Sequence, residues 1–182
     1  MRRLNSGFSM MELIIVMAII AIISTLMIVN FRGASRTKTA QKQIASIVLS
    51  DIRKMQSFAL AGSQYDGNSV CGYGIHYEDQ QTYVLYAGRP DGNDCSFADR
   101  NYESGWDYIV DTEKLKNNNI EFEDSFFDIF FESPHPITYI DGDIVISPAI
   151  MTFRTKDTVC GVDQCTSIVI TLAGKLDLNV PE

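Results

Sequence analysis

The feature that most constrains this chain is an apolar run of seventeen residues, Leu13–Val29, close to its start. The run contains no charged residue and no proline, and Ser24 and Thr25 are its only polar side chains. With the flank Phe8–Met11, a helix of this length just spans a bilayer core of roughly 30 Å, at about 1.5 Å of rise per residue. The pattern therefore predicts a transmembrane helix over residues 8–30.

One acidic residue, Glu12, stands at the start of this run. An ionised side chain in a membrane span costs about 2.5–3.5 kcal/mol on insertion scales, so it indicates a functional position and needs a partner. Cleavage between Gly7 and Phe8 would create a free ammonium group four residues before Glu12, on the same helix face. The carboxylate could then pair with its own amino terminus or with that of a neighbouring subunit. The alternative is that Glu12 marks the interfacial edge of an ordinary signal anchor.

The first 30 or so residues resemble the class III leader of type IV prepilins and type II secretion pseudopilins. The shared features are a short basic leader, Gly7, an aromatic first mature residue, Glu12 at mature position five and an unbroken apolar helix. The resemblance implies cleavage after Gly7 by a prepilin peptidase and N-methylation of Phe8. It also implies that Glu12 helps to recruit and register each subunit in a filament. An ordinary secretory signal fits less well, because its cleavage site would follow the apolar region.

The resemblance also implies where the protein resides and what it meets. The expected partners are other pilin or pseudopilin subunits, the prepilin peptidase, an assembly platform with its ATPase, and the membrane. Arg2 and Arg3 before the span favour a cytoplasmic amino terminus, whereas Arg32, Arg36 and Lys38 after it favour the opposite. Since the resemblance agrees with the first orientation, we expect a single-pass protein of the bacterial inner (cytoplasmic) membrane. Its C-terminal domain would be periplasmic or extracellular, and the protein would be incorporated into a filament.

The remaining chain, roughly 150 of the 182 residues, is long enough for one domain with its own core. Apolar residues at three- and four-residue spacing between Arg36 and Ala61 predict an amphipathic helix that ends at Gly62. The predicted organisation is a leader over 1–7, a transmembrane helix over 8–30, an amphipathic helix over 31–62 and a β-rich exported domain over 63–182. We predict an α+β fold in which the helix packs on an antiparallel sheet, similar to a pilin domain.

Beyond Gly72 the alternation of apolar and polar residues predicts about eight short strands. Residues 73–77 and 82–86 flank a polar turn and predict a hairpin, and Asp141-Gly142 is the strongest hairpin signal in the chain. Further strands are predicted at 120–131, 137–140, 143–146, 151–156, 167–172 and 175–180. The C-terminal stretch 168–176 resembles the minor pseudopilins of the H type.

The chain has four cysteines, all of which follow the apolar run. An even number in an exported domain predicts disulfides. Of the three possible connectivities we favour Cys71–Cys95 and Cys160–Cys165, because each pair closes a local loop rich in Gly, Asp and Asn. A four-thiolate zinc site is the alternative, but Cys71 and Cys95 lack the paired spacing that zinc sites use.

Residues Gly88–Tyr108 form a long loop that contains Trp106, the single tryptophan of the chain. Loops of this length in a small domain are usually functional or locally constrained. One interpretation is a connection that Cys95 staples back to the sheet. The other is a variable interaction loop, which would make the protein a surface adhesin or a substrate-binding minor pilin.

The rest of the sequence bears on enzymes, metals and nucleic acids. The net charge is −8, and it becomes −10 when Arg2 and Arg3 leave with the leader, so nucleic acid binding is disfavoured. His76 and His135 lie in no recognisable catalytic motif, so we predict no enzyme and no catalytic residue. We predict no cofactor and no metal site, and the alternative is calcium at two acidic clusters that lack EF-hand spacing. The clusters are Asp91, Asn93, Asp94 and Asp99, and Asp141, Asp143, Asp157 and Asp163. The resemblance to prepilins and pseudopilins therefore implies a structural subunit, minor rather than major, of a type II secretion pseudopilus or a type IV pilus.

Overall fold

A computed structural model describes residues 10–62, 64–92, 94–96, 98–134, 137–144, 147–161 and 165–180, with the backbone alone described over 26–36. The chain divides into two compact units, Met1–Thr37 and Lys38–Glu182. Within the described residues one helix is followed by nine strands. They are α1 (Met10–Leu60), β1 (Gly72–Asp79), β2 (Thr82–Gly88), β3 (Tyr108–Lys114), β4 (Ile120–Phe122), β5 (Ile129–Glu132), β6 (Thr138–Ile140), β7 (Ala149–Thr155), β8 (Thr166–Ile170) and β9 (Leu176–Asn179).

Helix α1 ends as the sequence predicts. The N–H of Gly62 donates to the carbonyl of Ala59 at 3.0 Å, and the N–H of Ala61 donates to that of Ser57 at 3.0 Å. Gly62 has a φ of 61°, the left-handed conformation in which glycine commonly terminates a helix. The predicted end of the amphipathic helix is therefore confirmed.

The strands form two antiparallel sheets, with the orders β3-β2-β1-β5-β6 and β4-β7-β8-β9. The C-terminal part of α1 packs on both of them. The Phe58 ring lies 5.5 Å from that of Tyr73 on β1, and Gln56 Nε2 donates to the carbonyl of Gly174, which precedes β9, at 2.9 Å. These contacts confirm the predicted α+β fold, with a helix packed on antiparallel sheets. The buried helix face is Ile44, Ala45, Val48, Leu49, Ile52, Met55 and Ala59, which is the helical spacing seen in the sequence.

Several predicted strand pairings are confirmed. Strands β1 and β2 form the first hairpin, in which Tyr73 is opposite Ala87. Strand β7 pairs with β8, and β9 is the predicted last strand.

The second predicted hairpin is only partly formed. Asp141 and Gly142 make a turn with φ values of 55° and 74°, and Ile140 bridges Asp143. Residues 137–144 contain the single strand β6, which pairs with β5. Residues 145 and 146 of the predicted strand 143–146 lie outside the described part of the chain, so the rest of that strand stays a prediction.

Strand β3 was not predicted from the sequence. It pairs with β2 at the edge of the five-stranded sheet. Asp111, Thr112 and Lys114 are exposed there, so the strand loses its apolar alternation after Val110. An edge strand needs fewer apolar positions than a central one. The apolar alternation by which a strand is recognised in the sequence is therefore weak in β3.

Candidate functional site

The N-terminal part of α1 presents apolar side chains on all sides. Its large apolar residues from Met10 to Ile23 are between 45% and 84% exposed in the single chain. A helix that is apolar all round is stable only where other apolar groups cover it, in a membrane or in a bundle of helices. A continuous exposed apolar surface of this kind indicates a site of contact.

Thr25 illustrates how this helix accommodates a polar residue. Its hydroxyl lies 3.0 Å from the carbonyl oxygen of Ala21 and 2.8 Å from that of Ile22. The hydroxyl can therefore donate to the backbone of its own helix. A polar group that is satisfied within the helix can enter apolar surroundings at low cost.

Glu12 lies in the first turn of α1 and is exposed. The sequence from Met10 to Asn30 contains no lysine, arginine or histidine that could neutralise it. Residues 10–30 of the helix therefore supply no cation to this carboxylate.

Gly7 and Phe8 lie outside the described residues, so cleavage and N-methylation there stay predictions. Within the described part of the chain, no helix is both long enough and apolar enough to cross a membrane. The predicted transmembrane helix over residues 8–30 is therefore not confirmed.

The long loop covers the face of the five-stranded sheet that points away from α1. Alternation along β2 places Leu85 in the core with the helix and Val84 and Tyr86 on the opposite face. We call residues 89–107 the outer-face loop. The small core beneath it consists of Cys71, Val84, Tyr86, Ala98 and Phe130, with Cys95, Tyr102 and Tyr139 packed against it. The loop therefore has a core of its own.

Glycines on this face make room for two aromatic rings. A Cβ on Gly74 would lie 2.5 Å from the Tyr86 ring, and a Cβ on Gly88 would lie 2.8 Å from the Phe130 ring. The alternation of Gly72 and Gly74 along β1 is the sequence signal that could have indicated this covered face, and it was not recognised.

Two disulfides are present, and they are the pairs that the sequence analysis favours. Cys71–Cys95 has a Cα–Cα distance of 5.3 Å and joins the residue before β1 to the outer-face loop. Cys160–Cys165 has a Cα–Cα distance of 5.5 Å and closes the connection between β7 and β8. No cysteine is free, so no thiolate remains for the alternative zinc site.

Hydrogen bonds and ion pairs hold the middle of the outer-face loop. Arg100 Nη2 lies 2.7 Å from Glu132 Oε1, and the Tyr86 hydroxyl donates to the carbonyl of Arg100 at 3.0 Å. Burial raises the pKa of Tyr86 well above its ordinary value, so this hydroxyl remains a donor. The N–H of Tyr102 donates to Asp128 Oδ2 at 2.7 Å, and Asp128 Oδ1 lies 2.6 Å from His76 Nδ1.

The end of the loop is held around Arg89. Its guanidinium lies 4.9 Å from the centre of the Trp106 ring and 4.8 Å from that of Tyr108. Asp107 accepts from the N–H of Arg89 at 3.0 Å and from that of Glu103 at 2.9 Å. Burial raises the pKa of Asp107. The two backbone donors act in the opposite direction, because they stabilise the charged carboxylate. Such contacts favour the interpretation of a stapled connection.

The histidines and the two acidic clusters are only partly described by the structure. His76 is held by Asp128, and His135 lies outside the described residues. In the part of the chain that the structure describes, no group of three or more His, Cys, Asp and Glu residues could hold a metal ion. Asn93 and Asp163 of the two acidic clusters lie outside that part.

The described residues thus combine an exposed apolar helix at the amino terminus with an α+β domain. Residues 2–28 match the family model described as the prokaryotic N-terminal methylation motif. This match confirms the resemblance to type IV prepilins and pseudopilins and supports a subunit of the pilin type, a class that is generally structural. No curated protein and no solved structure shows significant similarity to the chain.

Proposed function

We propose that this protein is a structural subunit, in a minor position, of a type II secretion pseudopilus or a type IV pilus. A prepilin peptidase cleaves it after Gly7 and methylates the amine of Phe8. The observation that supports this most is the methylation motif over residues 2–28, which coincides with the exposed apolar helix. The protein starts as a single-pass protein of the bacterial inner membrane, with its β-rich domain periplasmic or extracellular. An assembly platform and its ATPase then pass it into the filament.

Glu12 gives this proposal its mechanism. In a bundle of apolar helices, the carboxylate pairs with the methylated ammonium of Phe8 in a neighbouring subunit. Two unit charges at 4 Å attract by about 4 kcal/mol at an effective dielectric of 20, which offsets much of the cost of removing them from water. Since no basic residue occurs between Met10 and Asn30, the amino terminus is the nearest cation along the helix.

A second candidate is a surface adhesin or substrate-binding minor pilin that acts through residues 88–108. The observation that favours it is the exposure of Trp106, at 44%, in a loop held firmly by its neighbours. Exposed and rigidly held aromatic residues are frequent anchors in binding sites. The Trp106→Ala variant separates the two functions, because filament incorporation would persist while ligand capture would be lost.

The proposal is tested by replacing Glu12 in the native organism and by measuring the protein in sheared filaments. We expect Glu12→Gln to lower incorporation by at least about tenfold, because the ammonium of Phe8 would then enter the helix bundle without a counter-charge. The cost of inserting an unpaired charge exceeds the free energy of a tenfold change. Glu12→Asp should retain most incorporation, and Glu103→Gln, which changes an exposed acid of the outer-face loop, should retain all of it. Absence of the wild-type protein from filaments contradicts the proposed subunit. Unchanged incorporation of Glu12→Gln removes Glu12 from the mechanism.

A further inference from the structure

A groove lies between α1 and the segment that follows β3, within the unit Lys38–Glu182. Its volume is about 570 Å³. Ala40, Lys42, Gln43 and Ile47 line it from the helix, and Lys116 and Asn117 line it from the other side. We call this the helix groove.

The helix groove combines apolar and cationic surface. Ile47 is 36% exposed, although Ile44 and Val48 on the same helix are buried. Lys42 and Lys116 are both exposed, and within the described residues neither forms an ion pair. In a protein of net charge −8, two unpaired lysines beside an apolar surface favour a partner that is apolar and acidic.

The same chain carries a surface of that chemistry. Phe127 is 62% exposed, and Glu123 and Asp124 precede it without an ion-pair partner in the described residues. We call residues 123–127 the acidic knob. Phe126 fixes its base, because its ring lies 5.5 Å from that of Tyr77 and 5.1 Å from that of Phe122. Phe127 does not line the helix groove, so the groove of one molecule is not filled by its own knob.

We propose that the acidic knob of one copy of this chain docks in the helix groove of the next copy. This inference rests on the proposed function, and it adds a contact between domains to the packing of the N-terminal helices. Phe127 would cover Ile47, and Asp124 would lie beside Lys42 or Lys116. Groove and knob are different surfaces, so the contact is heterologous, and its repetition generates an open filament or a ring. The inference therefore requires short runs of adjacent copies of this chain within a filament that consists mostly of other subunits.

The first experiment is cross-linking in the native organism. A photo-reactive phenylalanine analogue replaces Phe127 in the full-length protein, and sheared filaments are irradiated. We expect a cross-linked dimer of this chain, with the second site mapping to residues 40–47 or 116–117. The same analogue at Ile150, which is 56% exposed on β7, is the control and should give no such dimer. A cross-link to a different protein, or to another region of the chain, overturns the inference.

The second experiment exchanges charges across the contact. We expect Lys42→Glu with Lys116→Glu to lower incorporation about five- to tenfold, because the groove would then repel the acidic knob. Adding Asp124→Lys to these two changes should restore at least half of the lost incorporation. Arg53→Glu is the matched control, since it reverses an exposed charge on the same helix and should change nothing.

The two proposals fail in different ways. If the wild-type protein is absent from filaments, the proposed function fails, and this inference fails with it. If the wild-type protein is present but the charge-reversed variants incorporate equally well and no cross-link forms, only this inference fails. Circular dichroism of the variants shows whether they fold, and the cross-link remains a test that uses no charge reversal.

Discussion

The two disulfides should contribute unequally to stability, and the difference can be calculated from the loops that they close. Cys71 and Cys95 are separated by 24 residues, whereas Cys160 and Cys165 are separated by 5. In the chain-entropy account, a cross-link stabilises the folded state by restricting the unfolded chain, and more so for a longer loop.

The expected magnitudes follow from these separations. Loop closure gives about 3.5 kcal/mol for Cys71–Cys95 and about 2 kcal/mol for Cys160–Cys165. Cys71 is only 1% exposed and packs with Val84 and Phe130, so its replacement by alanine adds about 1 kcal/mol of lost burial. With a urea m-value of about 2 kcal/mol/M, loss of the first disulfide should lower the unfolding midpoint by about 2 M, and loss of the second by about 1 M.

The assay is urea unfolding of the full-length protein in detergent, followed by two signals. Trp106 is the single tryptophan and lies in the outer-face loop, so its fluorescence reports release of the loop. Circular dichroism reports the helix and the sheets. In Cys71→Ala with Cys95→Ala, we expect the fluorescence transition to precede the dichroism transition, because the loop has lost its covalent attachment. In Cys160→Ala with Cys165→Ala, the two transitions should coincide.

Two results would refute this reasoning. If both double variants lose equal stability, loop length does not determine the contribution of the disulfides. If the two signals of Cys71→Ala with Cys95→Ala coincide, the contacts of Arg89, Arg100 and Tyr102 alone hold the loop.

Two further predictions concern buried aromatic residues. Tyr83→Phe should destabilise the protein by about 1.5–3 kcal/mol in thermal or urea unfolding, because Tyr83 is 1% exposed and its hydroxyl donates to Asp51 Oδ2 at 2.6 Å. Burial, together with Asp51, raises the pKa of Tyr83 above its unfolded value, so the stability it provides is complete below about pH 10 and declines as the pH rises further. Tyr83→Phe should therefore show a smaller alkaline loss than the wild type, and an equal loss would contradict this. Gly74→Ala should cost about 1–3 kcal/mol in the same measurement, since its Cβ would lie 2.5 Å from the Tyr86 ring and 2.7 Å from the carbonyl oxygen of Ile129. A neutral result would show that the ring can move aside.

The features that were predicted correctly are those with local signals. The end of α1 was recognisable from Gly62 after an amphipathic pattern, and the β1–β2 hairpin from alternation on both sides of a polar turn. The outer-face loop could be identified only as a long connection stapled by Cys95. The residues that the loop itself contributes to this core could not be foreseen, because Ala98 and Tyr102 follow no period. Its ion pair joins Arg100 to Glu132, which are 32 residues apart, and no local pattern indicates such a contact.

The N-terminal site depends on a different kind of signal. Glu12 was identified because a lone charge in an apolar run is costly, and Gly7 and Phe8 because of their fixed spacing from it. The exposure of the large apolar side chains of α1 from Met10 to Ile23 agrees with this reasoning.

The most direct test of the central claim is mass spectrometry of the amino terminus of the native protein recovered from its membrane or filament. We predict a polypeptide that begins at Phe8 and carries one methyl group on its amine, so that Glu12 is the fifth residue. A native protein that still begins at Met1 would contradict the account, because the ammonium that neutralises Glu12 would not exist.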